Sequence, residues 1–173
     1  MAITLYDATV ALFIQTTHAM DGFLKRGLAH CGDNNIDPAV ILETRLFDDM
    51  LPLRYQVQAA IGHSVGAIEG VKDGVFKPPY GSPKADFAAV QEEVAAALAK
   101  LRSYTPDEVN ALQDKDVVFN LGERQLPFVG KGFLLSFSLA NFHFHATTAY
   151  DILRSKGVPL GKADYIGRPQ LKA

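Results

Sequence analysis

The feature that most constrains the fold of this chain is a Phe-rich apolar segment, residues 133–148, with a polar stripe along it. Steps of four and three residues place one set of side chains on the same side of a helix, here called the polar seam: Leu134, Ser138, Asn141, His145, Thr148 and Ile152. Apolar residues flank the seam about 100° to either side. They are Phe133, Phe137, Ala140 and Phe144 on one flank, and Leu135, Leu139, Phe142, Ala146, Ala149 and Leu153 on the other. Because buried polar groups need partners or a purpose, the segment predicts a polar pocket inside a helical domain.

The composition indicates an ordinary globular domain. With 173 residues, 48% of them hydrophobic and 21% charged, the chain can form one domain with a sizeable core. Its formal net charge of -2 and its scattered Lys and Arg residues argue against a protein that binds nucleic acids by neutralising phosphates. We therefore expect no nucleic-acid partner.

The sequence also carries information about the compartment. No stretch approaches the roughly 18 consecutive apolar residues of a membrane span, and the N-terminal residues 1–7 make a poor signal peptide because they lack a basic region. Cys31 is the single cysteine and cannot form an internal disulfide, which fits a reducing cytosol. We expect a cytoplasmic protein without membrane association.

Helical periodicity recurs in four long segments. The predicted helices run from about Thr4 to Ala29, from Met50 to about Glu69, from Ser82-Pro83 to about Arg102, and from about Lys131 to Ser155. Asp48-Asp49 is predicted to cap the second of these helices, and Gly70 to Pro83 reads as an extended loop. Short helices are predicted after the capping signals at Asp37-Pro38 and at residues 105–108.

One part of the chain has the alternating pattern of β-strands instead. Residues 117–121 and 125–129, joined by 122–124, predict a small hairpin, and Pro127 confines its strand to an edge or a bulge. Four long amphipathic helices with one hairpin predict an all-α four-helix bundle. We expect a single domain over residues 1–173, with the hairpin at about 116–129 and a C-terminal tail at about 157–173.

The candidate chemistry centres on the polar seam. Asn141 and His145 lie four residues apart and emerge on one helix face, and His63 of the second helix can meet them if the two helices are neighbours. Gln56, Ser138 and Thr148 are expected to line the same pocket. This cluster fits either a metal site or a satisfied polar network that fixes the packing of the helices, and the spacing alone leaves both open.

His143 does not belong to this cluster. It lies near 180° from the polar seam on a helix, and we expect it on the exterior. The sequence also lacks Gly-rich phosphate loops and the motifs of zinc fingers, zinc proteases and serine hydrolases, which removes the main support for those functions.

Several short motifs nevertheless carry a resemblance. They are residues 36–40, Arg45-Leu46 with Asp49-Met50 and Pro52-Leu53, Gln56-Val57-Gln58 before His63, Asn141 to Tyr150, and the closing run around residues 152–164. On these residues the chain resembles the DinB/YfiT-like superfamily of metal-dependent helical bundles, and more narrowly a bacterial branch known only as a domain of unknown function. The likeness covers nearly the whole chain.

The resemblance implies an up-down-down-up bundle with a long crossover, often dimeric, so a homodimer is expected. Many superfamily members hold a divalent ion, commonly nickel or zinc, through one histidine on the second helix and an H-x3-H pair on the fourth. His63 matches the first position and His145 the second member of the pair, while Asn141 stands where the pair would have its first histidine. An amide oxygen is a poor ligand for these ions beside imidazole, so this position departs from the family pattern.

Two functional hypotheses follow. The first is an enzyme-like pocket with His63, Asn141 and His145 around a divalent ion or a small polar ligand, similar to the superfamily's thiol-dependent transferases. The second is a non-catalytic dimeric bundle whose polar seam is structural or binds a small molecule.

Overall fold

The computed structural model describes residues 2–78, 81 and 83–172. The helices before the sheet are α1 (Leu5–Ala8), α2 (Val10–Asp33), α3 (Pro38–Leu42), α4 (Leu53–Ile61), the π-helix π1 (Gly62–Gly66) and α5 (Ala67–Asp73). Strand β1 (Val75–Phe76) precedes α6 (Phe87–Ser103) and α7 (Pro106–Asn110), which are followed by β2 (Asp116–Leu121) and β3 (Arg124–Val129). The chain continues through α8 (Gly130–Gly132), the π-helix π2 (Phe133–Ser138), α9 (Leu139–Ser155) and α10 (Lys162–Ile166).

These elements form a four-helix bundle with a small sheet, as predicted. The long helices are α2, the continuous unit α4–π1–α5, α6, and the unit α8–π2–α9. Helix α2 packs against α6 and α9, and α4 packs against α9 and α6. The buried apolar side chains of all four helices form one cluster with those of the sheet.

The first long helix is interrupted near its start, which the sequence did not predict. Thr4 caps α1 in a capping box with Asp7, but Thr9 leaves the helical region at φ -130° and ψ -75° before α2 begins. Helix α2 then runs past the predicted end at Ala29 to Asp33, and Asn35 follows with a positive φ of 54°. The predicted end was therefore too early, because Gly32 remains inside the helix.

The predicted cap of the second helix is wrong. Helix α4 begins at Leu53 with Pro52 in the cap position and without a side-chain cap bond. Asp48 and Asp49 lie in the preceding turn region, and the Leu53 amide instead donates to the Thr44 carbonyl at 2.9 Å. That bond satisfies an amide at the helix start, which would otherwise need a capping side chain.

The segment predicted as a loop contains structure at its start. Residues 70–73 still belong to α5, which ends at Gly74 in the left-handed region with φ 76°. Strand β1 follows and pairs in parallel with β2, through Val75 with Val118 and Phe76 with Phe119. Two residues are too few to show an alternating pattern, so the sequence could not reveal this strand.

The start of the third helix also differs from the prediction. Asp86 caps α6 by accepting a hydrogen bond from the Ala89 amide at 2.9 Å. Ser82, predicted to open this helix, lies outside the described residues.

The predicted hairpin is confirmed. Strands β2 and β3 pair antiparallel in register from Asp116 with Val129 to Leu121 with Arg124. The strand order is β1-β2-β3, so Pro127 lies on an edge strand, where its missing amide hydrogen does no harm.

The fourth helix has its predicted extent but not uniform α geometry. In π2 the Leu139 amide bonds to the Leu134 carbonyl five residues earlier, which widens the turn. The buried face shifts along the helix. Near its start Phe133 is buried and Leu135 is exposed. Farther along, Phe144 is 58% exposed and Ala146 is buried. The apolar flanks of the polar seam are therefore not buried throughout, since Leu135, Ala140 and Phe144 are exposed.

None of the helices in the described ranges 2–78 and 83–172 is long and apolar enough to cross a membrane.

Gly130 provides a test of how the start of the fourth long helix, α8–π2–α9, packs against the rest of the bundle. A Cβ atom there would lie 2.2 Å from the Leu112 carbonyl oxygen and 2.9 Å from Val71 Cγ1. Because a backbone oxygen cannot move aside cheaply, we expect Gly130→Ala to lower the free energy of unfolding by about 1–3 kcal/mol in urea titrations.

The matched control is Gly132→Ala in the same short helix, where an added Cβ meets nothing within 4 Å. This variant should be neutral or more stable by about 0.5–1 kcal/mol. Equal stabilities of the two variants would contradict the packing described for Gly130.

Candidate functional site

A cavity of about 530 Å³ lies between the second and fourth long helices and the sheet. Its lining comes from α4, π1, β2, π2, α9 and two connecting segments: Leu51, Tyr55, Gln58, Ala59, His63, Pro78, Phe119, Leu121, Phe137, Asn141 and His145. The structure thus brings His63, Asn141 and His145 to one cavity, as the sequence suggested. Most of the surrounding side chains are aromatic or aliphatic.

His63 projects from π1 and is only 7% exposed. Its ring lies between Phe76 and Phe137, with centroid distances of 5.4 and 5.5 Å, and stacks nearly parallel to the ring of His145 at 5.9 Å. Burial, with a smaller contribution from neighbouring His145, lowers the pKa of His63 from 6.5 to about 4. The imidazole is therefore neutral at pH 7, and its buried Nδ1 has no hydrogen-bond partner among the described residues.

His145 is held differently, by a hydrogen bond to the facing helix. Its Nδ1 lies 2.8 Å from Oε1 of Gln56. The Gln56 side chain is buried, and its Nε2 donates to the Leu51 carbonyl at 2.7 Å. Burial lowers the pKa of His145 as well, so both imidazoles of the site are neutral at pH 7.

Asn141 lies one turn before His145 on α9. Its Nδ2 donates to the Phe137 carbonyl of its own helix at 2.8 Å. This carbonyl belongs to π2, so the wide turn provides the acceptor that positions the amide. The bond fixes which end of the amide points away from the helix, and the oxygen is left to face other partners.

The predicted pocket-lining role of Gln56, Ser138 and Thr148 needs correction, because none of them belongs to the lining. Gln56 lies behind His145 and acts on it through the hydrogen bond described above. Ser138 is fully buried with no partner for its Oγ among the described residues, and Thr148 Oγ1 donates to the Phe144 carbonyl of its own helix. The polar seam is therefore only partly a pocket wall.

His143 is also not where the sequence placed it. The C-terminal helix α10 brings Tyr165 over it, with the phenolic oxygen 3.3 Å from His143 Nδ1 and accepting from Thr147 Oγ1 at 2.9 Å. His143 is therefore half-buried, since the tail expected at 157–173 contains a packed helix. It lies outside the cavity lining, so its exclusion from the site stands.

Sequence reasoning missed part of the lining. Tyr55 and Ala59 precede His63 by eight and four residues, so helical spacing from His63 could have found them. Phe119 and Leu121 come from β2, and no pattern in the sequence relates that strand to the seam. Only the parallel pairing of β1 with β2 and their packing on the helices brings them to the site.

The donor set does not fit a resident zinc or nickel ion. The structure offers two imidazoles and one amide oxygen, and in the described ranges 2–78, 81 and 83–172 no group of three or more His, Cys, Asp or Glu residues is arranged to hold a metal. Zinc and nickel favour imidazole, thiolate and carboxylate ligands.

With this geometry established, comparison with known proteins identifies the family. The family described as Domain of unknown function (DUF1993) matches residues 5–166. The chain belongs to the DUF1993 family. A crystal structure of a DinB family member protein from Shewanella denitrificans matches this DUF1993 chain with a TM-score of 0.80 and 26% sequence identity, over 98% of this chain and 95% of that chain. No curated protein matches the sequence.

These comparisons confirm the resemblance drawn from the sequence. The DUF1993 chain has a DinB-like fold, and its family description assigns no activity. The function must therefore be inferred from the cavity and its residues.

The donor set yields a first prediction about the site. We expect Asn141→His to gain zinc binding, because it adds a third imidazole to the cavity wall that already holds His63 and His145. Zinc titration of protein purified without a nickel column should show about one equivalent bound by the variant and much less by the wild type. A full equivalent in the wild type that is lost in His145→Ala would contradict the conclusion that the native donors do not fit an ion.

The depressed pKa of His63 yields a second prediction. Between pH 6.5 and about 4 the unfolded chain binds a proton at this residue that the folded chain does not, so stability falls as the pH is lowered through this window. Lowering the pKa of His63 from 6.5 to about 4 corresponds to about 3 kcal/mol of lost stability at the acid end. Urea unfolding at several pH values should show a shallower decline for His63→Leu than for the wild type.

The exposed His18 supplies the control for this experiment. A His18→Gln variant should keep the acid decline of the wild type. Should His63→Leu lose stability as steeply as the wild type between pH 6.5 and 4, His63 would not be buried in its neutral form.

Proposed function

We propose that this DUF1993 protein binds a small, uncharged molecule in the cavity, with an apolar body against the aromatic wall and a polar group at the histidines. The observation that carries this proposal is a pair of imidazoles, with ring centroids 5.9 Å apart, on the wall of an otherwise largely apolar cavity. Known ligand pockets have this character, with a few placed polar groups in apolar surroundings.

The size and charge of the cavity define the ligand class. Its volume of about 530 Å³ lies within the range of roughly 300–1,000 Å³ found for small-molecule sites. None of the described lining residues is Asp, Glu, Lys or Arg, and burial keeps His63 and His145 neutral at pH 7. A charged ligand would lose its hydration without gaining a counter-charge, so the cavity favours a neutral one.

The unsatisfied Nδ1 of His63 argues against a purely structural role for this ring. The hydrogen bonds of Gln56 would serve either role, because they satisfy both ends of its amide and the Nδ1 atom of His145. A buried ring nitrogen without a hydrogen bond costs stability, by about 1–3 kcal/mol, and has no structural benefit. Such unsatisfied groups are found at functional sites.

Metal-dependent thiol transfer, the activity implied by the superfamily, draws no support from this donor set. The homodimer and the cytoplasmic location expected from the sequence stay predictions. Their tests are the molar mass in solution and the fractionation of cells that express the protein.

A cavity-filling variant tests the proposal. Ala59 lines the cavity on α4, and Ala59→Phe would occupy part of its volume. We expect 4-ethylphenol, a neutral probe with an apolar body and one hydroxyl, to bind the wild type and to lose most of its affinity for Ala59→Phe in ligand-observed NMR titrations. The anion 4-ethylbenzoate should bind the wild type much more weakly.

The control is Ala95→Phe, at an exposed position of α6 that lines no described cavity. It should bind 4-ethylphenol as the wild type does. Absence of binding to the wild type, or equal binding by wild type and Ala59→Phe, would overturn the proposed function.

A further inference from the structure

We propose that Gln56 is a positioning residue that fixes His145 in the Nδ1–H tautomer, so that the cavity presents a bare Nε2 atom and selects ligands that donate a hydrogen bond. Gln56 lies behind His145, outside the cavity lining. The part of this proposal that concerns ligands rests on the proposed function, whereas the tautomer is a property of the free protein.

The Leu51 carbonyl fixes the orientation of the Gln56 side-chain amide. Gln56 lies in the first turn of α4, and its side chain folds back to the carbonyl of Leu51, just before the helix. A backbone carbonyl has no proton to donate, so the group 2.7 Å from it must be the amide nitrogen of Gln56. The reverse orientation would bring two oxygen acceptors together, which excludes an amide flip.

The Gln56 oxygen determines which ring nitrogen of His145 carries the proton. With the Gln56 nitrogen turned to Leu51, the Gln56 oxygen faces His145 Nδ1 at 2.8 Å. An amide oxygen can only accept, so Nδ1 must carry the hydrogen. A neutral imidazole has one N–H, and its Nε2 is then a bare acceptor.

Backbone hydrogen bonds at the start of α4 hold Gln56 and the Leu51 carbonyl in place. The carbonyl of Thr44 accepts from the Leu53 amide at 2.9 Å, which ties the loop before α4 to the start of that helix. The main-chain N–H of Gln56 also donates to the Pro52 carbonyl at 3.2 Å. These bonds fix the Leu51 carbonyl relative to Gln56, and α4 packs directly on α9, which carries His145.

The consequence for the ligand is selectivity by hydrogen-bond direction. His145 lines the cavity, and in the Nδ1–H tautomer it accepts a hydrogen bond at Nε2 but cannot donate one there. A hydroxyl or amide N–H group on the ligand satisfies this atom, whereas an ether or ketone oxygen would face it as a second acceptor. The substrate or ligand class is therefore a neutral hydrogen-bond donor on an apolar body.

The experiment reads the tautomer directly by two-bond ¹H–¹⁵N correlation NMR of the histidine rings at pH 8, with His145→Ala to assign the signal. We expect the Nδ1–H pattern in the wild type and a shift toward the Nε2–H form, which is the ordinary preference in water, in Gln56→Met. Gln91→Met, which removes a glutamine of α6 with its amide nitrogen buried, should leave the His145 signal unchanged.

The ligand arm compares 4-ethylphenol with 4-ethylanisole, which has the same body but no donor. We expect wild type to bind the phenol roughly three- to tenfold more tightly, and Gln56→Met to lose most of this preference. Thermal unfolding of each variant shows whether it is folded, and the histidine spectrum is read only from the folded state.

The outcomes separate the two proposals. An Nε2–H pattern in the wild type, or an unchanged pattern in Gln56→Met, overturns the role of Gln56 even if the probes bind. Equal affinity for phenol and anisole overturns the selectivity while leaving the tautomer in place. If neither probe binds, the proposed function fails together with the selectivity, and the NMR result alone decides the role of Gln56.

Discussion

The packing of α4 and π1 against α9 is the contact on which the site depends. It places His63 and His145 in a stacked arrangement and brings Gln56 within hydrogen-bonding distance of His145. Both long helices widen into a π-helix next to this contact, at residues 62–66 and 133–138. A π turn changes the direction of the side chains that follow it, and such turns are frequent at functional sites. Here one π-helix carries His63 and the other supplies the carbonyl that holds Asn141.

The electrostatics of the cavity follow from burial without compensating charge. His63 and His145 lie among aromatic rings, so desolvation lowers the pKa of both and keeps them neutral. The polar groups of Gln56 and Asn141 are oriented by backbone carbonyls, which are fixed acceptors. A cavity built in this way discriminates by hydrogen-bond direction and shape, since it has no net charge with which to attract an ion.

Helical spacing predicted much of this arrangement. It placed Asn141 and His145 on one face, kept His143 out of the site, and made His63 a partner once the bundle was assumed. It did not predict Phe119 of the sheet. Strand β1, which pairs with the strand of Phe119, has only two residues and therefore no detectable period. A contact between segments far apart in the chain also produces no periodic pattern in either segment. It also mistook Ser138 for a lining residue, since a helical wheel gives direction around an axis but not the depth of burial.

The sequence by itself determined the four amphipathic helices, the hairpin with its edge proline, and the family, because these depend on local periodicity and short motifs. Only the tertiary structure decided which residues of the polar seam line the cavity and which partners and protonation states they have. The hydrogen bond that His145 donates to Gln56, the burial that neutralises His63, and the contact of Tyr165 with His143 all join residues far apart in the chain. Protonation state and hydrogen-bond direction depend on such neighbours, so they could not be predicted from the order of residues alone.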